Sequence, residues 1–246
     1  MKLEICTGSY NSIKAAQEGG AQRIEICSGL DEGGLTPSAG LIKAACKLEN
    51  IDKHVLIRPR GGDFLYNNEE KAIIIDDILW AKDLGVDGVV VGALKADGNI
   101  DSQFLKECVR AANGLHVTFH RAFDLCSDPF TALEIIKDAG CDRILTSGQA
   151  STAEIGIPVL RELVNKAGND IIIMPGCRVS PANALKILKE TGANEIHASA
   201  RSVVRSKMQF RLDGVEMGKS DVDEYSIKET DQNIVKQISE QINLPS

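Results

Sequence analysis

The stretch Glu-Gly-Gly-Ala-Gln-Arg-Ile-Glu-Ile-Cys, residues 18–27, decides the fold. It reads as a helix end, a glycine stop and a short strand. Gly20 suits the left-handed residue that terminates a helix. Side chains alternate across a strand, so Ile24 and Ile26 share one face while Arg23, Glu25 and Cys27 share the other. The same helix exit recurs as Asp-Leu-Gly-Val-Asp from Asp83, Asp-Ala-Gly-Cys-Asp from Asp138 and Glu-Thr-Gly-Ala-Asn from Glu190. The glycines concerned, Gly20, Gly85, Gly140 and Gly192, precede every second strand of an alternating series. Such an every-other-unit repeat fits a closed barrel better than an open sheet.

Strands are expected over Lys2–Cys6, Arg23–Cys27, His54–Arg58, Gly88–Val91, His116–His120, Arg143–Thr146, Asp170–Met174 and Glu195–Ala198. Helices are expected over Ser9–Gly19, Ser38–Leu48, Glu69–Leu84, Asp101–Ala112, Asp128–Ala139, Ser151–Ala167 and Ser180–Thr191, with Ser38, Asp101 and Ser180 as caps. Alternation of this kind means parallel strands joined by crossover helices. The fold class is therefore α/β, a (β/α)₈ TIM barrel forming one domain, with a doubly wound open sheet as the alternative. Residues 1–201 form the barrel core. Residues 202–246 are expected as part of the same domain: a polar stretch, Ser202–Ile227, reaching over the barrel mouth, and a last outer helix, Asp231–Asn243, with Ile234, Val235, Ile238 and Ile242 on one face.

Bulk properties agree. The chain of 246 residues is the right length for one barrel, and its 43% hydrophobic content supplies a core. A net charge of −7 argues against nucleic acid or an anionic membrane as partner. No apolar run is long enough to span a bilayer, and Met1–Cys6 shows no leader pattern, so a cytoplasmic location is expected. The seven cysteines are an odd, scattered set and read as free thiols, with Cys46, Cys108 and Cys141 packing as small hydrophobes.

The helix-facing side of each strand must be apolar, so the polar parity points into the barrel. This turns Glu4 and Cys6 inward against Leu3 and Ile5, and Arg58 inward against Val55 and Ile57. Thr118 and His120 turn inward against Val117 and Phe119, and His197 against Ile196 and Ala198. An inward charge is costly unless paired. One interpretation is a structural ion-pair plug. The other is a functional site, because the polar residues lie toward the C-terminal strand ends, where this fold places its active sites. The loops Arg58–Phe64, His120–Asp124, Thr146–Gly148 and Pro175–Arg178 add Arg and Gly donors suited to a small anion.

Two chemistries fit this ring. Glu25, His120 and Asp124 are candidates for general acid–base catalysis, with Glu4, Arg58, Arg60, Arg121, Ser147 and His197 candidates for holding an anionic substrate. Alternatively, Cys6 and Cys27 end adjacent strands with the same parity, and neighbouring strands lie about 5 Å apart. Two thiolates on one ion select copper(I) or, less well, zinc(II). No organic cofactor is implied by either.

At these residues the chain resembles the CutC family of copper homeostasis proteins. The similarity is carried by residues 19–27, Gly-Gly-Leu-Thr-Pro-Ser from Gly33, Ile-Arg-Pro-Arg-Gly-Gly-Asp-Phe from Ile57, Thr-Phe-His-Arg-Ala-Phe-Asp from Thr118, Leu-Thr-Ser-Gly from Leu145 and His-Ala-Ser-Ala-Arg from His197. Val-Glu-Met-Gly from Val215 and Glu-Tyr-Ser from Glu224 extend it to the tail. The resemblance implies a cytoplasmic TIM barrel, homo-oligomeric as a dimer or tetramer, with copper(I) held by thiols matching Cys6 and Cys27. One departure stands out: Gly176-Cys177-Arg178 replaces a run of glycines after the seventh strand. That puts in question an approach of backbone amides to a phosphate there and makes Cys177 a third thiol candidate.

Overall fold

The alternation within residues 18–27 recurs around the whole molecule. In a computed structural model of the chain, residues 1–212, 214–215 and 223–243 are described. Parallel strands β1 (Lys2–Thr7), β2 (Arg23–Ile26), β3 (Asp52–Leu56), β4 (Gly88–Val91), β5 (His116–Phe119), β6 (Arg143–Thr146), β7 (Ile172–Pro175) and β8 (Glu195–Ala198) lie in the order β7-β6-β5-β4-β3-β2-β1-β8. β7 returns alongside β8 and nearly closes the barrel; a Cβ built on Gly176, just after β7, would lie 3.2 Å from His197 Cβ on β8. Between the strands run α1 (Tyr10–Glu18), α2 (Ala39–Ala45), α3 (Asn68–Asp83), α4 (Ser102–Ala112), α5 (Pro129–Ala139), α6 (Ile157–Ala167) and α7 (Ala184–Thr191). Gly20, Gly85, Gly140 and Gly192 all take positive φ, between 77° and 92°, as the helix-exit repeat requires.

Two separate apolar clusters confirm the two faces of the strands. Leu3, Ile5, Ile24, Ile26, Val55, Ile57, Val117, Phe119 and Ile196 belong to the core between barrel and helices. Cys6, Cys27, Leu56 and Val90 form a small cluster inside the barrel. Burying an aliphatic side chain of the first kind contributes about 1.5–3 kcal/mol. A one-residue slip in β1 or β2 would exchange it for a charge, so the register of these strands is firmly set.

Several boundaries differ from the sequence expectation. α6 starts at Ile157 instead of Ser151, because Pro158 is tolerated only in a first helical turn. Ser180 does not cap α7. Residues 181–183 form a turn in which Asn183 Oδ1 accepts the Ser180 N–H at 2.8 Å, and the helix begins at Ala184. The stretch expected as a polar loop, 202–227, instead takes in most of β9 (Arg201–Arg205) and the start of β10 (Ser226–Thr230), an antiparallel pair. This pair is tied to the barrel where Ser12 Oγ accepts the Thr230 N–H at 3.0 Å and Ala200 O accepts the Asp231 N–H at 2.8 Å. The last helix, α8 (Gln232–Ile242), buries Val235, Ile238 and Ile242 against the ring, while Ile234 of the expected face is only half-buried. Its approach to α1 needs Gly19, where a Cβ would lie 2.6 Å from Val235 Cβ.

Candidate functional site at the barrel mouth

The inward-facing residues form two levels. The lower one is an ionic plug. Arg23 is fully buried and donates to both Glu4 and Glu195. Arg143 Nε also donates to Glu195, at 3.1 Å, and Arg143 Nη1 to Thr118 Oγ1 at 3.3 Å. Burial alone would raise the Glu4 carboxyl, but the Arg23 charge and the His197 contact outweigh it and hold the pKa well below the usual range. His54, buried in the barrel, is pushed down to about 3 by burial and is a neutral ring.

Above the plug lies the thiol side of the mouth. β1 and β8 pair Glu4 with His197, and β1 and β2 pair Cys6 with Glu25. His197 Nδ1 sits 2.7 Å from Glu4 Oε1, and its Nε2 sits 3.9 Å from Glu25 Oε2. Cys6 Sγ, a Glu25 carboxylate oxygen and a His197 ring nitrogen lie within 4.8 Å of one another. Burial disfavours a charged His197, yet hydrogen bonds to Cys6 and Glu4 and the nearby acidic charges raise its pKa well above 6.5. The Glu25 carboxyl is raised, chiefly by burial. Cys27 lies two residues beyond Glu25, fully buried, and its Sγ donates to Glu25 Oε2 at 3.5 Å. Burial and the Glu25 charge push the Cys27 thiol well up.

The opposite wall is built by the loops after β3, β5 and β6. A tight 3₁₀ turn, Arg121–Leu125, follows β5. His120 caps it, with Nδ1 accepting the Ala122 N–H at 3.1 Å. Asp124 accepts from Arg121 Nε at 2.7 Å, from Thr146 Oγ1, and from the Ser147 and Gln149 N–H groups at 3.0 and 3.2 Å. It thereby locks the β5 and β6 loops together. Between the two walls is a cavity of about 360 Å³, lined by Cys6, Glu25, Cys27 and His197 on one side and by Arg58, His120, Arg121 and Asp124 on the other.

With this geometry in place, known proteins are informative. The sequence model of the CutC family matches residues 1–202. The family protein CutC of Parabacteroides distasonis is 53% identical over 236 residues, covering 95% of this chain and 97% of that protein. The CutC family protein of Bacteroides fragilis is 51% identical over 217 residues, covering 88% and 86%. The chain belongs to the CutC family. Among solved structures, a candidate copper homeostasis protein CutC from Streptococcus agalactiae superposes with a TM-score of 0.77 at 34% identity, covering 80% of this chain and 97% of that one. Thiamine phosphate pyrophosphorylase from Pyrococcus furiosus, at 16% identity and a TM-score of 0.60, shares the barrel fold alone.

In this CutC chain the structure gathers Cys6, Glu25 and His197, with Cys27 beside them, and sets Arg58, His120, Arg121 and Asp124 around the same cavity. It leaves others aside. Glu4 sits below the cavity, against Arg23. Ser147 is buried behind Arg121, its Oγ donating to Ala150 O at 2.7 Å. Arg60 turns outward to Asp63 and Glu70 and lies over the Tyr66 ring. Cys177 is held elsewhere by the Ser151 carbonyl, although Cys177 and Arg178 keep left-handed φ values of 92° and 56° in place of glycines. Glu216, Met217 and Gly218 of the family tail motif lie outside the described residues. Sequence reasoning did not single out Phe64 and Arg201 of the lining, nor the plug residues Arg143 and Glu195. Both plug residues share the inward parity of Leu145 and His197, two positions on, which was the available signal.

Proposed function

We propose that the thiol side of the mouth binds copper(I), with Cys6 as the accessible donor and His197 and Cys27 as further donors, and that the chain serves copper homeostasis in the cytoplasm. The observation that carries this is the convergence of Cys6, Glu25 and His197 within 4.8 Å. The donor set fits the ion: sulfur and imidazole are soft enough for copper(I), and the second thiol is at hand beside Glu25. Binding requires His197 and Cys27 to release their protons, so affinity should rise with pH. Competition against a chromophoric copper(I) chelator tests this. Cys6→Ser should weaken binding by at least about tenfold, roughly the loss of 1.4 kcal/mol, and Cys6→Ser with Cys27→Ser by more. Equal affinity in wild type and double variant contradicts it.

A second reading is favoured by the size of the cavity. About 360 Å³ exceeds what one ion needs and falls in the range of small-molecule sites, and Arg58, Arg121 and Arg201 all face it. On this reading the mouth holds a small anionic metabolite for acid–base chemistry. Saturable binding of a small anion at the mouth of the metal-free protein supports it, and no saturable binding of any small anion opposes it.

A further inference from the structure

The wall formed by Arg58 and His120 carries donors that none of the described residues accepts from. His120 is only 5% exposed. Because its Nδ1 accepts the Ala122 N–H, the ring proton sits on Nε2, and Nε2 is buried with no partner among the described residues. Burial, aided by the Arg58 charge, holds the His120 pKa down to about 3, so near neutrality the ring is a fixed donor. Gly92, just after β4, makes room for it; a Cβ there would lie 2.5 Å from His120 Cε1 and Nδ1.

Arg58 is 6% exposed. Its Nη1 donates to Glu32 O and Gly34 O at 2.9 and 3.0 Å, and its Nη2 to Gly62 O at 2.7 Å. Its Nε is buried, with no hydrogen-bond partner among the described residues. The charge is thus met by backbone carbonyls, and among the described residues no carboxylate lies at ion-pair distance from it. Phe64 lies against both groups, its ring centroid 4.9 Å from the His120 ring and 4.9 Å from Arg58 Cζ. Among the described residues Arg58 has no carboxylate counter-ion and neither N–H has an acceptor, and both residues line the same cavity. Buried polar groups are otherwise almost always paired.

Resting on the small-anion reading, we propose that this wall is a carboxylate subsite: the two oxygens of a small organic acid accept from His120 Nε2–H and Arg58 Nε–H, with Leu56 and Phe64 against its carbon chain. Two N–H donors match the two oxygens of a carboxylate, and one uncompensated charge matches a monoanion. A phosphate dianion brings a second charge, whereas the nearby Arg121 is already engaged with Asp124. Entry requires the Phe64 ring to swing aside, and Gly61 and Gly62 precede it in the same loop, Gly62 with φ of 83°.

The test is NMR on the ¹⁵N-labelled, metal-free protein at pH 7, titrated separately with acetate, pyruvate and inorganic phosphate. The carboxylates should shift the His120 Nε2–H and Arg58 Nε–H resonances along one saturating curve, with phosphate at least tenfold weaker. His120→Phe and Arg58→Lys, each checked for a native backbone spectrum, should weaken pyruvate binding at least tenfold; should neither fold, the wild-type shifts decide. Shifts confined to Arg121 and Arg201 overturn the subsite while leaving the small-anion reading standing. Phosphate binding as tightly as pyruvate overturns the carboxylate class. No response to any anion overturns both.

Discussion

Replacing Arg23 with Met tests whether the lower level is a structural plug. The arginine is fully buried between Glu4 and Glu195, so the substitution leaves two carboxylates in the barrel without their shared cation. Breaking a buried pair in this way costs about 3–5 kcal/mol. Glu195 keeps Arg143 at 3.1 Å and Glu4 keeps His197 at 2.7 Å, so the lower part of the range, about 3–4 kcal/mol, is expected. At about 2–4 °C per kcal/mol for a chain of this size, Tm should fall by roughly 6–16 °C. The deficit should also depend on pH. The wild-type Glu4 pKa is depressed below its ordinary 4.5, so its contribution is present above that value and lost as pH falls through the folded pKa. Without Arg23 burial prevails, the pKa rises, and acid relieves the variant sooner. The gap between the two proteins should therefore narrow below about pH 5. Urea unfolding followed by circular dichroism at pH 7, 5 and 4 reads both effects. A loss under about 1 kcal/mol at pH 7, or a gap that stays constant in acid, would refute the reasoning.

Further expectations follow from single contacts. In Gly156→Ala the new Cβ would overlap the Ser147 carbonyl oxygen, which is backbone and cannot step aside; a loss above the usual overpacking cost of about 1–3 kcal/mol is expected in urea unfolding. Asp124→Ala removes the acceptor that joins the β5 and β6 loops, and about 3 kcal/mol should be lost, with faster hydrogen exchange at the Ser147 and Gln149 amides. His197 has a raised folded pKa, so its contribution is full below about pH 6.5 and is lost as pH rises through the folded value. The metal-free protein should therefore lose stability on the alkaline side, and His197→Gln should flatten that limb.

The barrel was legible because two signals coincide: the glycine stops at Gly20, Gly85, Gly140 and Gly192, and the strict alternation in strands such as Arg23–Ile26. The same alternation placed Cys6, Glu25, Arg58, His120 and His197 inside. It carries no information on depth or partner choice. Glu4 and Cys6 share a parity, yet one belongs to the plug and the other to the mouth. Arg23 meets Glu195 across 172 residues, a pairing set by barrel closure. Arg58 and Arg60 stand in one motif, but only Arg58 lies close enough to the strand end to be held inward. The sequence groups Glu25, His120 and Asp124 as acid–base candidates, with His120 paired to Glu25 or Asp124; the turn after β5 instead gives His120 a backbone donor and Asp124 the β6 loop. The β9–β10 pair escaped notice because Val203, Val204 and Ile227 are exposed, so no buried face imposes a period on the stretch.

Copper K-edge X-ray absorption on the copper(I)-loaded protein tests the thiol side of the mouth most directly. Sulfur scatterers at the metal, lost in Cys6→Ser with Cys27→Ser, are the predicted result. A first shell of nitrogen and oxygen alone, or a sulfur shell unchanged in that double variant, would contradict thiol-held copper at the barrel mouth.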